Sequence, residues 1–254
     1  MRKLAVIVIA AALAVAWTGL AFAADSKEDL RKTLKENPDI ILDFLRDHKV
    51  ELFDIVDSGI KAKREDEKTK LRAAELTKPL APVVDPARVV AGKPDAPVTV
   101  VEYSDFLCSF CARGAKIIDA LIAAHPDDVR VIYKHMPSSE TSKQAALYYE
   151  AVLMQNRDKA RKFHDLLFAS QEELFKGKED TLKKLAAEVK ADMPRLAADI
   201  KRKELTDRLA ADDKEARDFD FQGTPSYVVN GISIRGAQPL SEFEDVIRLT
   251  TAKR

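Results

Sequence analysis

Cysteine is scarce in this sequence: only two occur among 254 residues, and both lie in the segment Cys108-Ser-Phe-Cys111. A secreted domain held together by disulfides needs several separated cysteines, so that class is excluded. A structural zinc site needs about four ligands, and none of the histidines has a suitable spacing to this pair. Haem attachment would require histidine after the second cysteine, where Ala112 stands.

An excess of charge of either sign is also missing. The chain has 42 basic and 42 acidic side chains, which gives a formal net charge of zero. This balance gives no reason to expect a nucleic-acid partner or an anionic membrane surface. Glycine is infrequent, with eight residues, whereas alanine, leucine, lysine and glutamate are abundant, and this composition predicts a high helix content.

The N-terminus has the three parts of a secretory signal. Arg2 and Lys3 supply positive charge, an apolar run follows from Leu4 to Trp17, and Ala21-Phe22-Ala23 is a small-residue cleavage site. Residues 1–23 are therefore predicted to be a cleaved signal peptide, with periplasmic delivery of the mature chain. The alternative is an uncleaved membrane anchor.

The sequence of residues 24–78 predicts a separate helical segment. Asn37-Pro38 is a helix-start signal. Apolar and small residues then recur at alternating spacings of four and three, in a heptad-like seam. The seam consists of Ile41, Leu45, His48, Leu52, Ile55 and Gly59. Because this stripe is narrow, we expect an oligomerisation stalk, and the alternative is a helix folded against the main domain.

Five prolines between residues 77 and 97 predict an extended linker over 79–97. Residues 98–254 then alternate in pattern. A buried strand from Val98 precedes a helix over about 109–124, and a second strand begins at Val129. A helical block over about 140–218, with breaks near 157, 177 and 194, separates these from a hairpin at Asn230-Gly231 and a last helix near Ser241, where Glu244 completes a capping box. The order predicts an α/β thioredoxin fold with a helical insertion, preceded by the helical stalk.

A C-x-x-C segment that opens a helix directly after a strand suits thiol exchange. Cys108 would lie at the helix N-terminus, where free N–H groups and the macrodipole favour a thiolate. Cys111 would lie one turn further along and could resolve a mixed disulfide. A bridge across so short a loop restricts the unfolded chain little, which argues against a purely structural disulfide.

The segment Val-Glu-Tyr-Ser-Asp-Phe-Leu-Cys108-Ser-Phe-Cys111 resembles the active site of DsbA-like oxidoreductases, and Gly223-Thr224-Pro225 resembles the cis-proline loop of the same superfamily. The resemblance covers roughly residues 90–253. It implies that Pro225 is cis and faces the cysteines, and that the Thr224 backbone offers an edge to an extended substrate. It also implies that Glu102 lies beneath the disulfide and assists proton transfer, with Lys134 as a candidate partner.

The N-terminal segment resembles that of stalked DsbA-like proteins, including the copper-sensitivity suppressor group, in which the stalk trimerises and supports isomerase activity. The dipeptide Ser109-Phe110 departs from the Pro-His of the strong oxidants and from the Gly-Pro of thioredoxin. The redox potential is therefore not predicted.

The sequence predicts an enzyme that forms or isomerises disulfides in exported proteins, through Cys108, Cys111, Thr224, Pro225 and Glu102. Its expected partners are cysteine-containing exported proteins, a membrane or soluble redox partner and further copies of the chain, as a trimer through residues 25–78. Nucleic acid is not expected as a partner. No cofactor or metal is expected. The alternatives are a thioredoxin-fold chaperone or surface protein without catalysis, and a Cu(I)-handling dithiol protein.

Overall fold

A computed structural model describes residues 26–252, so the predicted signal peptide and its cleavage site lie outside the described part of the chain. The chain divides into two compact units after residue 68. Among the helices of residues 26–252, none has both the length and the apolar character needed to cross a membrane.

The first unit is helical throughout its described part. It contains α1 (residues 26–36), α2 (Pro38–Asp47) and most of α3 (Lys49–Thr77). The helix start at Asn37-Pro38 is confirmed, because Asn37 is the N-cap of α2 and Pro38 its first residue. The seam does not lie on one continuous helix, since His48 separates α2 from α3 and its N–H closes α2 on the carbonyl of Phe44.

The second unit contains a five-stranded mixed sheet of order β1-β3-β2-β4-β5. β2 and β3 are parallel, and the other neighbouring pairs are antiparallel. The strands are β1 (Val89–Gly92), β2 (Val98–Ser104), β3 (Val129–His135), β4 (Ser226–Val229) and β5 (Ile232–Arg235).

Helices follow the strands as a thioredoxin fold with a helical insertion requires. α4 joins β2 to β3, five helices stand between β3 and β4, and one helix follows β5. They are α4 (Ser109–Ala124), α5 (Glu140–Gln155), α6 (Arg157–Ala169), α7 (Gln171–Glu188), α8 (Met193–Asp199), α9 (Lys203–Asp218) and α10 (Leu240–Thr251). The predicted fold class is confirmed.

Residues 79–97 are not an extended linker throughout. Pro86 opens a 3-10 turn over Pro86–Arg88, which is capped by the Asp85 carboxylate. β1 follows directly and pairs with β3, and Val89 is fully buried. The proline count was misleading because Pro86 and Pro94 flank this strand without interrupting its hydrogen bonds.

The last helix begins one residue before the predicted start, at Leu240, with Pro239 as its N-cap. Proline offers no side-chain acceptor, and no side-chain cap bond forms there. The predicted capping box between Ser241 and Glu244 is therefore wrong, because Ser241 already lies within the helix.

The sheet buries both faces, and strand alternation divides the core between them. Val101 and Tyr103 of β2 belong to one apolar cluster, together with Phe221. Val100 belongs to the larger cluster on the other face, with the helices of the insertion. Glu102 lies between Val101 and Tyr103 in sequence, so its side chain shares the face of Val100.

Candidate active site

The two cysteines lie where β2 feeds into α4. Cys108 is the N-cap of α4 in an extended backbone conformation, and Cys111 lies within the first turn, its N–H donating to the Cys108 carbonyl at 3.0 Å. Both are free thiols, Cys108 partly exposed and Cys111 fully buried. This arrangement presents one sulfur to a partner and holds the other behind it.

Two side chains brace the loop that carries Cys108. The buried carboxylate of Asp105 accepts hydrogen bonds from the Leu107 N–H at 2.8 Å and from the Ser138 N–H at 2.9 Å. From the helical insertion, the Gln171 amide donates to the carbonyls of Phe106 and Cys108, both at 2.9 Å. The helical insertion therefore holds the backbone segment that carries the partly exposed Cys108 thiol.

The environment of Cys108 favours its thiolate. The neighbouring Cys111 thiol, acting against partial burial, lowers the pKa of Cys108 to about 5, with help from Thr224 and the backbone N–H groups of α4. A thiolate is the nucleophile in thiol exchange and the better leaving group. Cys108 is therefore ionised at neutral pH.

Cys111 has the opposite character. Burial raises its pKa far above the ordinary value, and the adjacent Cys108 thiol raises it further. The pair thus contains one ionised and one protonated sulfur at neutral pH. A protonated Cys111 must lose its proton before it can attack a mixed disulfide.

The cis-proline loop adjoins the thiols, as the resemblance implied. The Thr224–Pro225 peptide bond is cis. The Thr224 carbonyl lies 3.5 Å from Cys108 Sγ, and Pro225 is buried against α4, where a Cβ at Gly114 would approach its ring to 3.2 Å. Thr224 and Pro225 are therefore brought together with the cysteines.

Glu102 is buried within β2. Its side chain is 1% exposed, and burial raises its pKa to about 7. It faces Tyr133 of β3 and Tyr227 of β4 in the strand register. A carboxyl group with this pKa can exchange a proton near neutral pH.

Lys134 is not the partner of Glu102. It pairs with Tyr103 in the register of β2 and β3, one position beyond the pair formed by Glu102, and so lies on the other face of the sheet. Its ammonium instead forms an ion pair with Glu215 of α9, which also accepts a hydrogen bond from Tyr103. Lys134 was predicted as the partner because it lies near the end of the neighbouring strand. That prediction did not take into account that successive side chains of a strand point to opposite faces of the sheet.

Several residues of the site were missed by sequence reasoning, namely Ser104, Asp105, Gln171 and Tyr227. Asp105 carried a usable signal, because an aspartate after a strand commonly accepts bonds from the following turn. Ser104 and Tyr227 could have been found from the alternation that places them on the face of Glu102. Gln171 lies 60 positions beyond Cys111 by numbering (171 − 111), and no local pattern links the two.

A low-pKa thiol at a helix N-terminus, a buried second thiol and a facing cis-proline define a thiol–disulfide exchange site in a thioredoxin fold. A family model described as thioredoxin matches residues 85–248, well over half of the chain. The chain therefore belongs to the thioredoxin family.

Two solved structures illustrate the likeness. A thioredoxin-like oxidoreductase from Silicibacter pomeroyi DSS-3 is 30% identical, with a TM-score of 0.59 over 66% of this chain and 94% of that one. The α-DsbA1 of Wolbachia pipientis is 18% identical, with a TM-score of 0.57 over 64% of this chain and 90% of that one. The second likeness concerns the fold alone.

Curated relatives match over a limited part of their length. The Na⁺/H⁺ antiporter NhaA of Herminiimonas arsenicoxydans is 32% identical over 179 residues, which make up 70% of this chain but 27% of that protein. The chain thus spans about a quarter of the length of this relative. The likeness says nothing of ion transport by this chain.

Proposed function

We propose that this protein is a thiol–disulfide oxidoreductase that forms or isomerises disulfides in exported proteins. The observation that carries the proposal is the asymmetry of the cysteine pair. Cys108 is partly exposed with a pKa of about 5, and Cys111 beside it is buried and protonated. Such a pair can capture a substrate through one sulfur and release it through the other.

In the oxidising direction, a substrate thiolate attacks Cys108 Sγ of the Cys108–Cys111 disulfide. The S–S bond breaks, its electron pair leaves on Cys111 Sγ, and Cys111 gains a proton. A second substrate thiolate then attacks the substrate sulfur of the mixed disulfide, and Cys108 leaves as a stabilised thiolate. The substrate gains a disulfide and loses two electrons, which the cysteine pair takes up and a redox partner must remove.

Isomerisation uses the same sulfurs without net electron transfer. The Cys108 thiolate attacks a wrong substrate disulfide, and another substrate thiol resolves the adduct. The backbone edge of the Thr224 loop would hold an extended substrate segment beside Cys108. Delivery to the periplasm by the predicted signal at residues 1–23, and a membrane or soluble redox partner, belong to the same proposal.

Self-association through residues 25–78 would favour isomerisation over oxidation. The described seam residues of the first unit are exposed in the single chain, from 38% for Leu45 to 68% for Ile55. Apolar side chains repeated at this density on a helix surface call for a partner surface. Several active sites held together would act on one misfolded substrate at high effective concentration, and a trimer is the proposed state.

A trapping experiment tests the exchange mechanism. Cys111→Ala removes the resolving thiol, so we expect mixed disulfides between Cys108 and exported proteins to accumulate on non-reducing gels. Cys108→Ser should abolish both the adducts and the refolding of scrambled ribonuclease. A Cys111→Ala protein that forms no adducts, or a Cys108→Ser protein that stays active, would contradict the proposal.

A further inference from the structure

The face of the sheet beneath Cys111 contains an unusual group of buried hydroxyls. Four oxygens of residues on this face have no hydrogen-bond partner among the described residues, although each is shielded from solvent. They are Glu102 Oε1, Ser104 Oγ, Tyr133 Oη and Tyr227 Oη. Buried polar atoms without partners are rare in proteins, and they commonly mark ordered water or a catalytic role.

Strand geometry brings these groups together. Glu102 and Ser104 are two positions apart in β2 and so share a face, and Glu102 stands opposite Tyr133 on one side and Tyr227 on the other. A Cβ at Gly114 would overlap the Tyr227 hydroxyl, and Gly114 lies three residues beyond Cys111 on α4. Tyr133 and Tyr227 are close enough to interact electrostatically with both the Glu102 carboxyl group and the Cys111 thiol.

The Ser104 hydroxyl is the group that neighbours Glu102, Cys111 and Tyr133 alike. Burial raises the pKa of Glu102, of Cys111 and of Tyr133, and the Ser104 hydroxyl acts in the opposite direction on each of them. Its oxygen is thus close to all three groups, although it forms no hydrogen bond of good geometry with any of them. A small rotation or one bridging water would complete the connection.

We propose that the Ser104 hydroxyl carries the proton between Cys111 and Glu102 when a mixed disulfide is resolved. This step rests on the proposed exchange function and adds a route for its proton. The Cys111 S–H proton passes to Ser104 Oγ while the Ser104 hydroxyl proton passes to the Glu102 carboxylate. The freed electron pair of Cys111 attacks Cys108 Sγ, the bond from Cys108 to the substrate sulfur breaks, and the substrate leaves as a thiolate.

The charged surroundings of Glu102 set the pH at which it can accept the proton. Besides burial, the Arg161 guanidinium lowers the pKa of Glu102 and the Asp119 carboxylate raises it. The other titratable groups that sense this carboxyl are Tyr133, Tyr149 and Tyr227. Their own pKa values are raised by burial, so they stay neutral near pH 7, and the pH response belongs to Glu102.

Stopped-flow reaction of the reduced protein with an aromatic disulfide such as Ellman's reagent separates the two steps. The first coloured thiolate reports attack by Cys108, and the second reports resolution by Cys111. In the unmodified protein, the rate of the second phase should rise as pH increases through about 7. Ser104→Ala should slow that phase roughly 10- to 100-fold, within the range of general acid–base effects, and remove its rise.

Three controls make the result decisive. Ser104→Thr retains a hydroxyl and should restore the second phase and its pH profile. Tyr103→Phe removes a hydroxyl from the same strand on the other face of the sheet, and should leave both phases unchanged. Ser104→Val, which matches Ser104→Thr in shape but lacks the hydroxyl, should slow the second phase as Ser104→Ala does, and replaces that variant if it does not fold.

The outcomes separate this proposal from the exchange function. A Ser104→Ala protein with a normal second phase and pH profile would overturn the proton route, even though exchange occurs. Equal slowing of both phases would also overturn it, because that result indicates a general disturbance of the site. If the unmodified protein shows no first phase at Cys108, the exchange function itself fails.

Discussion

At the scale of single residues, Cys108 and Cys111 differ in acidity although one helical turn contains both. The backbone N–H groups and the adjacent thiol stabilise charge on Cys108, whereas burial opposes charge on Cys111. Stabilising the Cys108 thiolate stabilises the reduced protein, which makes the disulfide form the stronger oxidant. Phe110 contributes to this stabilisation through its backbone N–H, whereas its exposed ring stacks with the Arg113 guanidinium at 4.3 Å.

This acidity predicts a pH-dependent stability. The pKa of Cys108 is lowered in the folded state to about 5, from about 8.5 in the unfolded chain, so the folded state binds fewer protons between these values. The contribution of Cys108 to the free energy of unfolding of the reduced protein, taken as the difference from Cys108→Ser, should therefore increase from about pH 5 to about pH 8.5. This contribution is lost as the pH falls through about 5. Denaturant titrations of both proteins across this range check it. A difference that does not change with pH would contradict the low pKa.

At the scale of structural elements, a buried ion cluster attaches the 3-10 turn before β1 to two helices of the insertion. The Arg88 guanidinium donates to Asp212 of α9 at 2.8 Å and to Glu150 of α5 at 2.9 Å, and all three side chains are buried. Burial alone would raise the pKa of Glu150, but the hydrogen bond with His135 and the charge of Arg88 lower it to about 2. The cluster explains why this short turn has a fixed place.

Arg88→Ala should therefore be strongly destabilising. It leaves two buried carboxylates short of a countercharge, which typically costs about 3–5 kcal/mol of unfolding free energy. The matched control is Arg217→Ala, which breaks a solvent-screened pair with Asp213 on α9 and should have a far smaller effect. Urea unfolding measures both variants. Equal, small losses would show that the cluster contributes little to stability.

Local patterns predicted the elements whose signals lie within them. The helix at Ser109–Ala124, the hairpin at Asn230-Gly231 and the order of strands and helices were all predictable, because periodicity and turn chemistry are local. The strand at Val89–Gly92 was not, since its pairing with β3 depends on residues about 40 positions away. The Arg88 cluster and the contact of Gln171 with the cysteine loop also depend on tertiary structure, and no local periodicity in the sequence indicates them.

At the scale of the whole molecule, the first unit presents apolar side chains that no other part of that unit covers. Those of α2 and the first turns of α3 include Phe44, Val50 and Phe53, each more than 60% exposed. A single chain gains nothing from apolar residues in water, whereas copies that pair these helices would bury them at roughly 25 cal/mol per Å². The break at His48 means that any such pairing involves two successive helices rather than one unbroken helix.

We therefore expect residues 25–78 to hold several copies of the chain together. Light scattering of the mature chain should give a multiple of the monomer mass, about threefold if the proposed trimer forms. The shortened form should begin at Thr69, because Arg72 pairs with Glu242 and Glu75 accepts bonds from Ser233 within the second unit. We expect it to be monomeric, with oxidase activity retained and isomerase activity lost.

Leu45→Asp places a charge on the seam and should shift the mature chain towards monomer, whereas Arg46→Asp, one position away, should not. A mature chain that is monomeric at micromolar concentration would contradict the stalk and leave a monomeric oxidase with a helical extension.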